Sequence, residues 1–176
     1  MPIVTTSRRA ARNALVLQEQ ALPSAAPSAP RSVAEQFCGT WRLVSWTIEQ
    51  ADGARVDHPM GTDPLGRIMY RPDGHMSVAL MRSDCQRFAS DNLTAATPDE
   101  VKAAFEGYLG YCGAYEIDEQ ERVIIHRIEL SSFPNLVGTE QRRFFAFAED
   151  RLTLWTAPLT VLGEARVHRL IWERLA

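Results

Sequence analysis

Histidine, cysteine, lysine and serine are the side chains with which this sequence would carry out metal, covalent or acid–base chemistry, and their spacing closes most of those routes. His58, His75, His126 and His168 form no H-E-x-x-H or H-x-H pattern, whereas zinc needs three or four converging ligands. His58 precedes Pro59 and His75 follows Pro72-Asp73-Gly74, so both are expected in solvent and no metal site is expected. Cys38, Cys85 and Cys112 are odd in number, far apart and without a C-x-x-C pair. That speaks against a disulfide framework and suits a reducing cytoplasm. None stands at an evident helix start, where a thiol would be activated, and there is no G-x-S-x-G elbow. Lys102 is the one lysine among 19 basic residues and sits between alanines and acids, so Schiff-base catalysis is not expected. The segment Gly61-Thr62-Asp63-Pro64-Leu65-Gly66 has neither the lysine nor the spacing of a phosphate-binding loop. No cofactor is expected.

What remains is polar groups set among apolar ones at alternate positions. His126 shares a strand face with Ile124, Ile128 and Leu130; it reads either as a satisfied core residue or as a ligand contact. Tyr111, Gly113 and Tyr115 share a face, the glycine leaving room beside two phenols or marking a bulge. Gln141 and Arg143 share a strand face with Phe145 and Phe147. Facing inward, Arg143 needs a partner or a bound oxyanion, because an unpaired buried charge is costly; the sequence favours the outward placement. Tyr70 and Trp155 read as pocket walls or as outer-face packing. Such groups suit a reaction that needs confinement more than strong acid–base work. Holding a flexible substrate in a reactive conformer lowers a barrier by roughly 7–11 kcal/mol in the best cases.

These side chains need a scaffold, and from residue 37 onward the pattern is strand after strand. Predicted strands span 38–49, 66–70, 75–81, 108–118, 122–130, 139–148, 151–156 and 164–174, joined mainly by short turns such as Asp52-Gly53, Arg71-Pro72-Asp73-Gly74 and Glu149-Asp150. One helix interrupts them: Thr97 caps it, Pro98 opens it, Glu100 completes a capping box and Gly107 stops it. Some eight antiparallel strands in about 140 residues bury their edges best as an up-and-down barrel. Strands apolar on both faces, such as 123–125 and 143–147, want cover outside, from that helix, the leading segment or a second subunit in a homodimer. Residues 1–37 read as an arm: a weakly amphipathic helix over residues 7–20, then a Pro/Ala/Ser linker over 22–30. Ser7-Arg8-Arg9 is followed by too short an apolar stretch for an export signal. A net charge of −3 favours no nucleic-acid or anionic-membrane partner, and no apolar run approaches the roughly 18 residues that span a bilayer.

Gly39-Thr40-Trp41, with Arg174 ending the last strand, resembles the G-x-W and arginine pairing of lipocalin-type barrels, where the Trp plugs the closed end and the Arg packs across it. The stretches 39–46, 63–70 with 72–77, 104–108, 133–139 and 172–174 resemble, in order and spacing, small bacterial lipocalin-like domain proteins over nearly all of residues 37–176. By architecture, a barrel with a helical arm is also similar to the stand-alone β-barrel [4+2] cyclases of spirotetramate and spirotetronate pathways, in which an N-terminal helix lids the barrel over a polyene. That resemblance implies a cofactor-free cyclase of polyketide natural-product biosynthesis. Gln141, His126 and Tyr115 would act on the substrate; Tyr70, Ser77, Tyr111, Arg143, Phe145, Trp155 and His168 would bind it; Leu15 and Leu17 would belong to the lid. The alternative is a non-catalytic carrier of a hydrophobic small molecule. An interior filled by Trp41, Leu43, Tyr115 and Ile128, with no cavity larger than a few waters, would instead mark a barrel without a ligand.

Overall fold

The structure is a computed structural model that describes residues 31–50, 56–161 and 164–175. The predicted helix over 7–20, its linker, the lid residues Leu15 and Leu17, and the Asp52-Gly53 turn lie outside the described residues. A short helix α1 (Val33–Phe37) precedes β1 (Gly39–Gln50), β2 (Val56–Asp57), β3 (Leu65–Tyr70) and β4 (His75–Met81). Helix α2 (Pro98–Glu106) follows, then β5 (Tyr108–Asp118), β6 (Val123–Ser131), β7 (Glu140–Ala148), β8 (Arg151–Trp155), β9 (Leu159–Val161) and β10 (Glu164–Arg174). Strands β1, β3, β4, β5, β6, β7, β8 and β10 pair in that order, and β10 returns to β1, so eight antiparallel strands close a barrel. Closure removes the exposed edges that an open meander would leave. The short β2 and β9 pair with the far ends of β1 and β10. Helix α2 has the expected box, with Thr97 Oγ1 accepting from the Glu100 N–H and the Glu100 carboxylate accepting from the Thr97 N–H. No helix among the described residues is long and apolar enough to cross a membrane.

The two ends of the barrel differ. Tight turns gather at one end, and at the other lie the long connections 51–64, 82–107, 132–139 and 156–163. The tight-turn end is sealed by α1, which Ser32 and Glu35 cap reciprocally. Phe37 is fully buried there, its ring edge-on to Tyr70 (5.2 Å), Phe145 (4.9 Å) and Phe147 (4.9 Å). The Trp41 indole N–H donates to the Phe37 carbonyl (2.9 Å), and the Arg174 guanidinium lies 4.1 Å from the Trp41 ring while donating to the Cys38 and Gln36 carbonyls. The Trp–Arg pairing thus extends into a floor. Residues 31–37, which the sequence groups with the arm, belong to the barrel body, because Phe37 has nowhere more apolar to go.

Two bulges decide which side chains face inward. Between Leu43 and Ser45 the β1 register shifts, so Trp41 and Leu43 point in but the inward set then moves to Trp46 and Ile48, opposite Leu170 and His168. The second bulge lies on β6, where Glu129 is the extra residue between Ile128 and Leu130, opposite Gly113 and Cys112 of β5. A Cβ on Gly113 would sit 2.0 Å from the Arg127 carbonyl oxygen, so the glycine marks a bulge and close approach rather than room for a ligand. Across this bulge Leu130, expected beside His126 on the inner face, is exposed.

Two expected binding residues lie on the outer face. On β4 the buried positions are Met76, Val78 and Leu80, which turns Ser77 outward. On β8 they are Leu152 and Leu154; Trp155 faces out, stacks on Phe144 (5.8 Å) and lies under Arg169 (5.7 Å). The apolar outer surface of β7 is therefore covered in part from within the barrel itself.

Candidate functional site

The barrel interior holds a small cavity between its middle and the long-loop end. Its volume is about 50 Å³, and its walls include Trp46, Leu80, Leu109, Tyr111, His126, Arg143, Leu154, His168 and Trp172. Liquid water takes about 30 Å³ per molecule, and ligand pockets run from about 300 Å³ upward. The space as it stands is water-sized, the outcome expected of a barrel without a ligand. The polar groups around it argue the other way.

His126 is buried at the centre, 2.9 Å from the Tyr70 hydroxyl through Nε2 and 3.3 Å from the Tyr111 hydroxyl through Nδ1. Burial first, and the neighbouring Arg143 charge second, push its pKa from 6.5 down to about 3, so the imidazole is neutral. A neutral imidazole donates once and accepts once. Tyr70 is fully buried and its hydroxyl has no other acceptor among the described residues, so it donates to Nε2. Nδ1 then carries the proton and donates to Tyr111 Oη, which leaves the Tyr111 hydroxyl hydrogen free. Burial raises both phenols above the usual tyrosine range, so they stay protonated. The same cause, followed by the charges of Arg143 and Arg166, lowers His168.

Arg143 faces inward, against the expectation of a surface arginine. It sits opposite Ile124 across the β6–β7 ladder and lines the cavity. Its guanidinium donates to the Arg142 carbonyl (2.9 Å) and to Gln141 Oε1 (3.3 Å). Among the described residues it has no carboxylate partner, and none lines the cavity. The indole N–H groups of Trp46 and Trp172, also cavity-lining, have no hydrogen-bond partner among the described residues, although the Trp172 side chain is almost wholly buried. Buried donors of this kind are exceptions in folded proteins.

The structure thus brings together Tyr111, His126, Arg143 and His168 of the expected set, with Tyr70 behind His126 and Gln141 holding Arg143. Gln141 also donates to Thr139 Oγ1 (3.2 Å). It does not bring in Tyr115 or Phe145. The Tyr115 hydroxyl donates to the Arg71 carbonyl (2.9 Å) at the tight-turn end, and Phe145 belongs to the floor around Phe37. Trp46 and Trp172 escaped the sequence reading; simple alternation from Trp41 turns Trp46 outward, and the bulge reverses that. Among the described residues no three His, Cys, Asp or Glu side chains group as a metal site.

A larger groove of about 930 Å³ lies between residues 82–91 and α2. Several of its polar groups pair locally: Arg82 with Asp84 (2.7 Å), the Cys85 thiol with the Gly107 carbonyl, and Glu100 with the N–H groups of Ala89 and Thr97. The interior cavity, with its unpaired donors, is the candidate site.

A closed eight-stranded barrel floored by a Trp–Arg pair defines a class, and the sequence comparison agrees with it. The profile of the lipocalin-like domain family matches residues 38–175, and the chain belongs to that family. One relative is the 4'-hydroxy-3'-methoxypropiophenone carrier protein ppsC of Aspergillus oryzae, 31% identical over 107 residues, which are 57% of this chain and 96% of that protein. No solved structure matches the chain.

Proposed function

We propose that this protein binds a hydrophobic small molecule inside the barrel and carries it without changing it. The observation behind the reading is the donor-rich cavity: among the described residues, an arginine with no carboxylate partner, a freed tyrosine hydroxyl and two unpaired indole N–H groups inside an apolar barrel. Together they offer an oxygen-bearing apolar ligand what the protein itself does not supply. The relative named for carrying an aryl ketone supports the same reading. A ligand of that size needs more than the present cavity, so the half-buried side chains on the long-loop side (Trp46, Leu109, Arg143 and His168) swing outward to admit it. Three free cysteines fit a reducing compartment. Self-association through exposed apolar residues such as Leu65, Met81 and Tyr108 is part of the proposal, and its readout is the mass in solution.

The test is a titration with aryl ketones, including 4'-hydroxy-3'-methoxypropiophenone, followed by tryptophan fluorescence, with the ligand then extracted and chromatographed. Saturable one-to-one binding with unchanged ligand supports a carrier; no saturation removes it. Cyclisation, the competing reading, is favoured by the same donors, which would stabilise charge developing on a carbonyl oxygen. It conserves mass, so a new retention time at constant mass after incubation with a linear diene–dienophile polyene decides for a cyclase.

A further inference from the structure

The carrier reading leaves the ligand undefined beyond an apolar body with oxygen on it, and the charge pattern of the cavity narrows that. Among the described residues the partners of the Arg143 cation are two neutral oxygens, the Arg142 carbonyl and Gln141 Oε1. Arg166, further along β10, is by contrast held by Glu164 (2.9 Å) and Asp57 (3.9 Å). Around Arg143 stand donors: the Tyr111 hydroxyl, turned free by the Tyr70–His126 relay, and the indole N–H of Trp172. The acceptor nitrogen of His126 is taken by Tyr70, which leaves His168 as the imidazole there able to accept. A guanidinium lining an apolar cavity without an anionic partner is left without charge compensation, and an oxyanion that engages it through paired N–H groups supplies it.

We propose that the cavity selects ligands bearing an ionised oxygen acid (a carboxylate, enolate or phenolate) on an apolar body, with that oxygen seated on Arg143 and the Tyr111 hydroxyl. The inference rests on the binding role proposed above and adds the ligand's charge to it. It makes Arg143 the specificity-determining residue. Tyr70 and His126 are positioning residues, which act by holding the Tyr111 hydroxyl hydrogen toward the ligand.

Isothermal titration calorimetry on the full chain tests this with two pairs of probes of matched shape. trans-Cinnamate is compared with methyl cinnamate, and 4-nitrophenolate at about pH 9 with 4-nitroanisole. The charged member of at least one pair is expected to bind about tenfold or more tightly than its neutral partner, as a charge-assisted bond requires, and the pair that shows the gap tells carboxylate from phenolate. Arg143→Gln should close the gap by weakening the charged compounds about tenfold more than their neutral partners, and Arg143→Lys should restore part of it. Equal binding of charged and neutral members overturns the inference while the carrier role stands, and so does a gap that survives in Arg143→Gln. If none of the four compounds binds the native chain, the inference falls, and the aryl-ketone titration alone decides the carrier role. The native-chain comparison decides even where a variant fails to fold.

Discussion

Burying His126 as a neutral ring should make the barrel sensitive to acid, and the size of the effect follows from its surroundings. In the unfolded chain this histidine takes up a proton near its ordinary pKa of 6.5; in the folded barrel it does so near 3. Between those values the unfolded state binds one more proton than the native state, so stability rises with pH there and is lost as the pH falls through 6.5. The slope is about 1.4 kcal/mol per pH unit for one proton. From about pH 7.5 to about pH 5 the loss is therefore about 2 kcal/mol, growing to about 4 kcal/mol near pH 3. His126→Gln keeps a donor and an acceptor but cannot titrate. It should cost about 1–3 kcal/mol at neutral pH through poorer bonds to the two tyrosines, a pH-independent offset, while the slope that His126 contributes is lost. Urea unfolding of both proteins at a series of pH values reads the difference directly. His168, lowered in the same sense, contributes equally to both and cancels. Parallel stability curves between about pH 7.5 and about pH 5, within about 0.5 kcal/mol, would refute the buried neutral imidazole.

Three further substitutions probe the scaffold. Phe37→Ala removes the floor's central ring and should cost about 3–5 kcal/mol, lowering the thermal midpoint by on the order of 10 °C; a change of a degree or two would mean that the floor is dispensable. Gly113→Ala forces a Cβ against the Arg127 carbonyl and should destabilise by at least about 3 kcal/mol, read as lost soluble yield or a lowered midpoint. Arg174→Leu removes the bonds to Cys38 and Gln36 and the stacking on Trp41; amide exchange of residues 33–41 should speed up while the β5–β6 hairpin stays protected.

Strand order, the tight turns and the capped helix α2 were legible because each rests on local chemistry: Thr97-Pro98-Asp99-Glu100 can start a helix wherever it lies, and Asp73-Gly74 can turn a chain. The G-x-W and Arg174 pairing also pointed to a closed barrel. Inner and outer faces were harder. Alternation holds only while the register holds, and the bulges at 43–45 and 128–130 each reset it, bringing Trp46 in and putting Leu130 out. Ser77 and Trp155 were misplaced for a different reason: one residue's displacement along a strand reverses its face, and aromatic residues cover outer surfaces as readily as they line pockets. Arg143 shares a face with buried Phe145, yet local cost argues for its exposure; its inward placement follows from a ladder partner on β6. Phe37, one aromatic in a polar stretch, gave no period at all. The Ser32-Val33-Ala34-Glu35 capping box was the local signal that a helix begins there.

The seam where β1 meets β10 has a consequence for biosynthesis. Arg174 grips the Cys38 carbonyl across 136 positions of chain, and Trp41 faces Arg174 in the same ladder. A nascent polypeptide can zip its hairpins one after another as they emerge, but while residue 174 is still unmade the first strand waits with one flank bare and the floor ungripped. Sealing the cylinder and fastening its base are then a single late event, which leaves the growing chain open to sticking to its neighbours for most of its synthesis.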